Sequence, residues 1–283
     1  PEPGIVLDPE RNMIEPIEEP IFGESFDLAF ELDTDPNYIK HEQPFTGIRD
    51  WPHYEDELSM AIDDEMGVEP NIIRLVADDW PCDNNDPVTA AVWWGSYIGY
   101  RYAACDITGP WMALPVKPKY FWLTIWDDVP AGVDLPYSHP NDIIWEYKAY
   151  DYDEVLVGYD KHPLDPTGQG REPVFRYSVR LPEEDWFCQK EPNEVYWFSV
   201  VAVYDENTAN YDWGWTNHEH MYNDDAVSGV LFINDGPEWI WEELYDQNDA
   251  SEDMSFVLFT HPNPYYNCPD YNNDGIVNFI DYA

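Results

Sequence analysis

Basic residues are scarce in this sequence. Its 283 residues include 13 Lys and Arg against 58 Asp and Glu, and the formal net charge is −45. Because protein binding to phosphate groups depends on positive charge, this imbalance excludes nucleic acid and anionic membrane surfaces as partners. It favours cations, and Ca²⁺ is the cation we expect outside a cell. Solubility alone, or adaptation to salt, would account for the same charge.

Long apolar runs are absent as well. No stretch of 18 or more apolar residues occurs, so the sequence predicts no membrane-spanning helix. The chain begins at Pro1 without a basic and apolar leader. We interpret it as a mature chain whose export signal has been removed.

Cysteines are few, and their spacing excludes a common metal site. No two of them form a CxxC pair, so zinc is not expected. Their even number fits an oxidising compartment and leaves three pairings open. The four cysteines are Cys82, Cys105, Cys188 and Cys268. The sequence therefore predicts an extracellular location.

Catalytic signatures are also missing. The chain contains no GxSxG, no HExxH, no phosphate-binding loop and no GxGxxG. A carboxylate pair for glycoside hydrolysis is not singled out among the 58 acids. We therefore predict that the protein is not an enzyme, and a secreted hydrolase is the least favoured of three function classes.

Strand-like patterns fill most of the chain. From about residue 70 onward, short runs rich in Val, Ile, Tyr, Trp and Phe are separated by turn-forming clusters. "VFRYSVRL" (174–181) alternates in polarity, whereas "EVYWFSVVAVYD" (194–205) is apolar on both sides and should lie inside a sheet. The pattern predicts an all-β fold, an antiparallel β-sandwich or jelly roll, with a helix only at 54–63.

The predicted organisation has three parts. Residues 1–39 form an extended, Pro- and Glu-rich arm that contains one strand at 24–34. Residues 40–262 form the β-sandwich. Residues 263–283 carry a calcium-binding loop.

The loop is the segment "DYNNDGIVNFID" (270–281). Oxygen-bearing groups fall at the spacing with which an EF-hand-type loop surrounds Ca²⁺, and Gly275 stands where the chain turns sharply. The predicted ligands are Asp270, Asn272, Asp274, the Ile276 carbonyl, Asn278 and Asp281. The segment resembles the repeat of bacterial dockerin modules, although dockerins pair two loops that are each followed by a helix. An Asx-rich turn is the alternative.

A second resemblance covers about residues 40–262. Four segments carry it: "VADDWPC…DPVTAAVWWGSY" (76–97), "FWLTIWDDVPAG" (121–132), "GWTNHEHMYNDDAV" (214–227) and "SFVLFT" (255–260). They resemble a domain of unknown function that recurs in secreted bacterial proteins, often with a dockerin-like repeat after it. The resemblance implies a β-sandwich and an extracellular location, and no activity.

Acidic pairs form a further candidate metal site. Two neighbouring carboxylates need a cation or a shared proton, because like charges at close range repel each other. The candidate ligands lie within the segments of the second resemblance and are Asp78, Asp79, Asp224 and Asp225. We interpret the pairs at 63–64 and 127–128 as chance products of an acidic chain, and "HEH" (218–220) as solvated loop histidines.

One strand is present twice. "ESFDLAFELDT" (24–34) aligns without a gap with "ASEDMSFVLFT" (250–260). If this match is more than a chance likeness of two amphipathic strands, the first copy is a spare strand that can pair with a sheet edge of another subunit. Its apolar side would consist of Phe26, Leu28, Phe30 and Leu32.

Two function classes rank above the hydrolase. The spare strand favours an extracellular structural protein that forms homo-oligomers or filaments. Aromatic faces that stack on sugars would favour a carbohydrate-binding module, and "GPEWIWEEL" (236–244) is the candidate for an exposed platform. Core filling is predicted for the strand tryptophans Trp93, Trp94, Trp122, Trp126 and Trp197.

Overall fold

The computed structural model describes eleven stretches of the chain. They are residues 39–48, 50–51, 53–63, 71–81, 86–100, 113–161, 171–189, 194–206, 208–232, 238–245 and 250–260. All of them lie within the unit Asn37–Ala283. The predicted strand at 24–34 and the predicted calcium loop at 270–281 lie outside the described residues.

The described residues form strands and no α-helix, which confirms the all-β prediction. The strands are β1 (Ile39–Gln43), β2 (Asp56–Leu58), β3 (Met60–Asp63), β4 (Asn71–Pro81), β5 (Val88–Tyr97), β6 (Tyr120–Val129), β7 (His139–Ala149), β8 (Asp153–Lys161), β9 (Arg171–Arg180), β10 (Val195–Asp205), β11 (Trp213–Glu219), β12 (Val227–Phe232), β13 (Glu238–Glu243), β14 (Glu252–Met254) and β15 (Phe256–Thr260). Within the described residues, a 3-10 turn covers Glu183–Asp185.

Two sheets form a sandwich-like arrangement. In the first, β5 pairs with β9, β11 and β15, while β8 pairs with β9, β1 with β15, and β2 and β14 with β11. In the second, the order is β13-β12-β4-β3-β10-β6-β7. All pairings are antiparallel except that of β3 with β10. As predicted, β10 lies inside its sheet, between β6 and β4, because apolar residues occupy both of its faces.

The predicted helix at 54–63 is wrong. This segment forms β2 in the first sheet and β3 in the second, and the chain crosses between the sheets at Ser59. The buried Ser59 hydroxyl donates to the Val200 carbonyl (2.6 Å) and accepts from the Val76 amide (3.2 Å). Pairing with β11 and β10 therefore overrides the local preference of Glu, Leu, Met and Ala for helix.

Aromatic side chains fill the space between the sheets. Trp93, Phe121, Tyr177 and Trp213 are fully buried, and their ring centroids lie 4.8 to 5.9 Å apart in the contacts that join them. The strand tryptophans predicted to fill the core are all buried, although Trp93 alone among them lies between the sheets. The five residues, all buried, are Trp93, Trp94, Trp122, Trp126 and Trp197.

A smaller apolar cluster covers the opposite face of the first sheet. It contains Val92, Trp94, Val174 and Val257, with Phe45 packed against it. Because successive residues of a strand face opposite sides, Trp93 points into the sandwich and Trp94 points away from it. We call the side that carries this cluster the outer face of the first sheet.

Candidate functional site

A buried carboxylate joins the two sheets. Asp78, in β4 of the second sheet, has no solvent exposure. Its Oδ2 accepts from the Met254 amide in β14 (2.7 Å) and from the Gln43 side chain in β1, and its Oδ1 accepts from the Asp79 amide (2.9 Å). Since β1 and β14 belong to the first sheet, Asp78 holds one sheet against the other.

The adjacent Asp79 serves a different network. Its Oδ2 accepts from the Asn223 side-chain amide (2.8 Å) and the Asp224 main-chain amide (3.3 Å), while its buried Oδ1 has no hydrogen-bond partner. The Asn223 side chain also donates to Asp224 Oδ2 (3.0 Å). Asn223 has a φ of 36°, in the left-handed region that asparagine tolerates better than most residues.

The two aspartates of this pair face opposite sides of β4. Val76 and Trp80 belong to the core between the sheets, whereas Leu75 and Ala77 belong to the cluster on the other face. The alternation along a strand therefore points Asp78 into the sandwich and Asp79 away from it. Asp224 lies with Asp79, and Asp225 lies in the network described next.

The third acid of the junction is Asp253 in β14. Its Oδ2 accepts from the amides of Met221 (2.6 Å) and Tyr222 (3.1 Å). Its Oδ1 lies 3.0 Å from His220 Nδ1, which is also 3.4 Å from Asp225 Oδ1. The four acids predicted as a second metal site are thus divided between separate hydrogen-bond networks, and metal binding by them stays a prediction.

Burial favours the protonated form of the aspartates at this junction. Burial raises the pKa of Asp78 well above its usual value, and the charges of Asp253 and Asp79 raise it further. Burial also raises the pKa of Asp79 to about 8, against the hydrogen bonds from Asn223 and Asp224. The pKa of Asp253 is raised by burial, although the Met221 amide and His220 oppose the shift.

The prediction of solvated loop histidines in "HEH" is wrong for His218. His218 belongs to β11 and is buried, with its ring stacked on Trp51 at a centroid distance of 6.1 Å. His220 lies beyond the strand and contacts Asp253. Packing of the segment before β2 onto the outer face of the first sheet removes His218 from solvent.

The two aspartates at 127–128, and Asp63 of the pair at 63–64, have hydrogen-bond or ion-pair partners in the structure. Asp64 lies outside the described residues. Asp127 accepts from the Asp142 amide (2.7 Å), and Asp128 accepts from the Trp197 indole (2.9 Å). Burial raises the pKa of Asp128. Asp63 pairs with Lys119 at the surface (2.7 Å).

The predicted aromatic platform is wrong for Trp241. Trp239 and Trp241 stack on each other at 5.2 Å, and both rings meet Trp126 edge-on. Trp241 is 5% exposed and offers no free face to a sugar ring, while Trp239 is partly buried. The exposed apolar residue of β13 is Ile240, at 47%.

Sequence reasoning missed three members of the junction. They are Gln43, Asn223 and Asp253. A signal existed for Asp253, because it stands directly before the largely apolar run "MSFVLFT" (254–260), and an acid buried with such a run needs donors. Gln43 and Asn223 carry no such signal, since polar residues near strand ends are commonplace.

These features define the class of protein as an all-β sandwich with a buried acidic junction. Within that class, the chain belongs to the family described as "Domain of unknown function (DUF7901)", whose model matches residues 41–259. This match confirms the resemblance to a domain of unknown function, while secretion and the dockerin-like loop stay predictions. No curated protein and no solved structure matches the chain. Within the described residues, no helix has the length and apolar character needed to cross a membrane.

Proposed function

We propose that this protein is an extracellular structural subunit, a calcium-stabilised β-sandwich that self-associates by strand addition. The observation that carries the proposal is the edge strand β13. Among the described residues it pairs only with β12, in six consecutive residue pairs without a bulge. Such a regular edge offers main-chain donors and acceptors to an incoming strand.

The other edge of the same sheet is built differently. The register of β7 against β6 is broken at two places, and Pro140 lies within β7. Bulges and proline are the devices by which edge strands avoid pairing. The contrast favours β13 as the acceptor edge.

The donor in this proposal is segment 24–34 of another subunit. Its apolar side, formed by Phe26, Leu28, Phe30 and Leu32, would lie beside the exposed Ile240 of β13. Because donor and acceptor are different surfaces, the contact is heterologous and extends into an open filament unless its rotation closes a ring.

Two further observations support this class over the alternatives. Among the described residues, the large exposed apolar side chains include no tryptophan, which disfavours a carbohydrate-binding platform. Cys188 is disulfide-bonded, which fits an oxidising, extracellular compartment. The other three cysteines lie outside the described residues.

The proposed role of calcium is to reduce the electrostatic repulsion between subunits. Subunits with a formal charge of −45 repel one another, and bound divalent cations reduce that repulsion. The loop at 270–281 is the proposed calcium site, as its oxygen spacing indicates.

The test compares the size of the full chain in calcium chloride and in EGTA, by sedimentation velocity and negative-stain electron microscopy. We expect filaments or large oligomers with calcium and smaller species with EGTA. A monomer at high protein concentration in saturating calcium would refute the assembly.

Two lysine substitutions locate the acceptor edge. Ile240→Lys places a charge on β13 and should prevent assembly, because edge lysines block strand addition. Ile143→Lys on β7 is the matched control, since Ile143 is also exposed, at 38%, and lies on the opposite edge strand. Phe30→Asp should abolish assembly from the donor side. Equal assembly of the Ile240→Lys and Ile143→Lys variants would exclude β13 as the acceptor.

A further inference from the structure

Three carboxylates from distant parts of the chain meet at the first sheet. They belong to Asp56 in β2, Asp160 in β8 and Glu172 in β9, and their ligand atoms all lie within 4.8 Å of one another. Asp160 and Glu172 are directly opposite each other in the β8–β9 pair. This cluster is separate from the junction around Asp78.

Two oxygens of the cluster are buried without a donor. Asp160 has no solvent exposure and Glu172 is 1% exposed, yet Asp160 Oδ1 and Asp56 Oδ2 have no hydrogen-bond partner. Three of the other oxygens accept hydrogen bonds: Asp56 Oδ1 from Thr216 Oγ1 (2.7 Å), Glu172 Oε2 from the Gly99 amide (2.7 Å), and Asp160 Oδ2 from Ser96 Oγ (3.4 Å). Buried polar atoms are nearly always satisfied, so these two oxygens need either a proton shared between Asp56 and Asp160 or a bound cation.

Among the described residues, no basic side chain donates to Asp160 Oδ1 or Asp56 Oδ2. Lys161 follows Asp160 in the sequence, but its ammonium group is bound to Glu55. Burial raises the pKa of Asp160 well above its usual value, and the charges of Asp56 and Glu172 add to the shift. Burial raises the pKa of Asp56 as well. Three carboxyl groups so close together require protons or a cation.

Gly214 provides the space in which Asp56 reaches the cluster. A Cβ atom at Gly214 would lie 2.7 Å from the Asp56 Cβ, so no other residue fits there without a shift. Gly214 lies opposite Ser96, and Ser96 lies opposite Val174 of the outer-face cluster. The three carboxylates therefore converge on the outer face of the first sheet.

We propose that Asp56, Asp160 and Glu172 bind one calcium ion on this face. Calcium takes six to eight oxygen ligands at about 2.3–2.6 Å, so oxygens on opposite sides of the ion are about 5 Å apart. The spacing of the three carboxylates, within 4.8 Å, fits one coordination sphere. An all-oxygen donor set also excludes the metals that prefer sulfur or imidazole.

The inference rests on the proposed function only in its choice of calcium. Its three ligands are independent of residues 24–34, of the loop at 270–281 and of the edge strand β13. A subunit that fails to assemble would therefore still bind the ion.

The test counts calcium ions in the full chain by equilibrium dialysis and follows thermal unfolding in calcium chloride and in EGTA. Asp160→Asn should bind one ion fewer per chain than the native protein. The matched control is Asp153→Asn, an exposed aspartate on the same strand, which should bind the native number.

The stability of Asp160→Asn separates ion binding from misfolding. In EGTA the variant should melt at or above the native temperature, because a neutral amide replaces one of three crowded carboxyl groups whose ionisation the others oppose. In calcium the native protein should melt higher, because a ligand that binds only the folded state stabilises it. Equal ion counts in the two proteins, or a variant that melts lower in EGTA, would overturn the proposal. If Ile240→Lys fails to assemble but still binds the ion, the result bears on strand addition and leaves the calcium site supported.

Discussion

Replacing Asp78 by alanine should weaken the contact between the two sheets and so lower the free energy of unfolding. The substitution leaves the amides of Met254 and Asp79 without their acceptor. The Gln43 side chain keeps one partner, because it also donates to the Met254 carbonyl (2.6 Å). Each buried donor without a partner costs about 1–3 kcal/mol, so the two amides together should lower the free energy of unfolding of Asp78→Ala by about 2–6 kcal/mol.

Urea unfolding at neutral pH, followed by tryptophan fluorescence with the disulfide intact, measures this loss. The exposed Asp151→Ala is the control and should stay within about 0.5 kcal/mol of the native protein. Asp78→Asn should recover part of the loss, because an amide oxygen still accepts one of the bonds. A loss below about 1 kcal/mol in Asp78→Ala would refute a sheet-joining role for this carboxylate.

Two further predictions concern β4 and β5. Burial raises the pKa of Asp79 from 3.8 to about 8, so between these pH values the folded protein holds a proton that the unfolded chain has released. The contribution of Asp79 to the free energy of unfolding should therefore fall as pH rises from 3.8 to about 8. Urea unfolding of Asp79→Asn across this range should give a flatter profile, and an unchanged slope would contradict the assignment. Gly95→Ala should lower the free energy of unfolding by about 1–3 kcal/mol, because the added Cβ would lie 2.7 Å from Trp213 Cε2. An unchanged melting temperature would show that the core can accommodate the added methyl group.

The sequence by itself determined the fold class and the central strand. Period-two alternation and continuous apolar runs are local properties, because a strand faces either one apolar layer or two. The all-apolar segment that became β10 and the alternating segment that became β9 could therefore be placed without knowledge of the rest of the chain. The burial of the strand tryptophans follows from the same patterns.

Only the tertiary structure decided the secondary structure of segment 54–63 and which acidic side chains lie together. Ser59 lies where the chain crosses between sheets, and the partners that made strands on both sides of it come from distant segments. The aspartates 78 and 79 look like one site in the sequence, yet the strand points them to opposite faces. Asp56 and Glu172 are far apart in the chain, and no local pattern brings their carboxylates together. Sheet pairing does so, because the order of strands in a sheet is set by the packing of the whole domain.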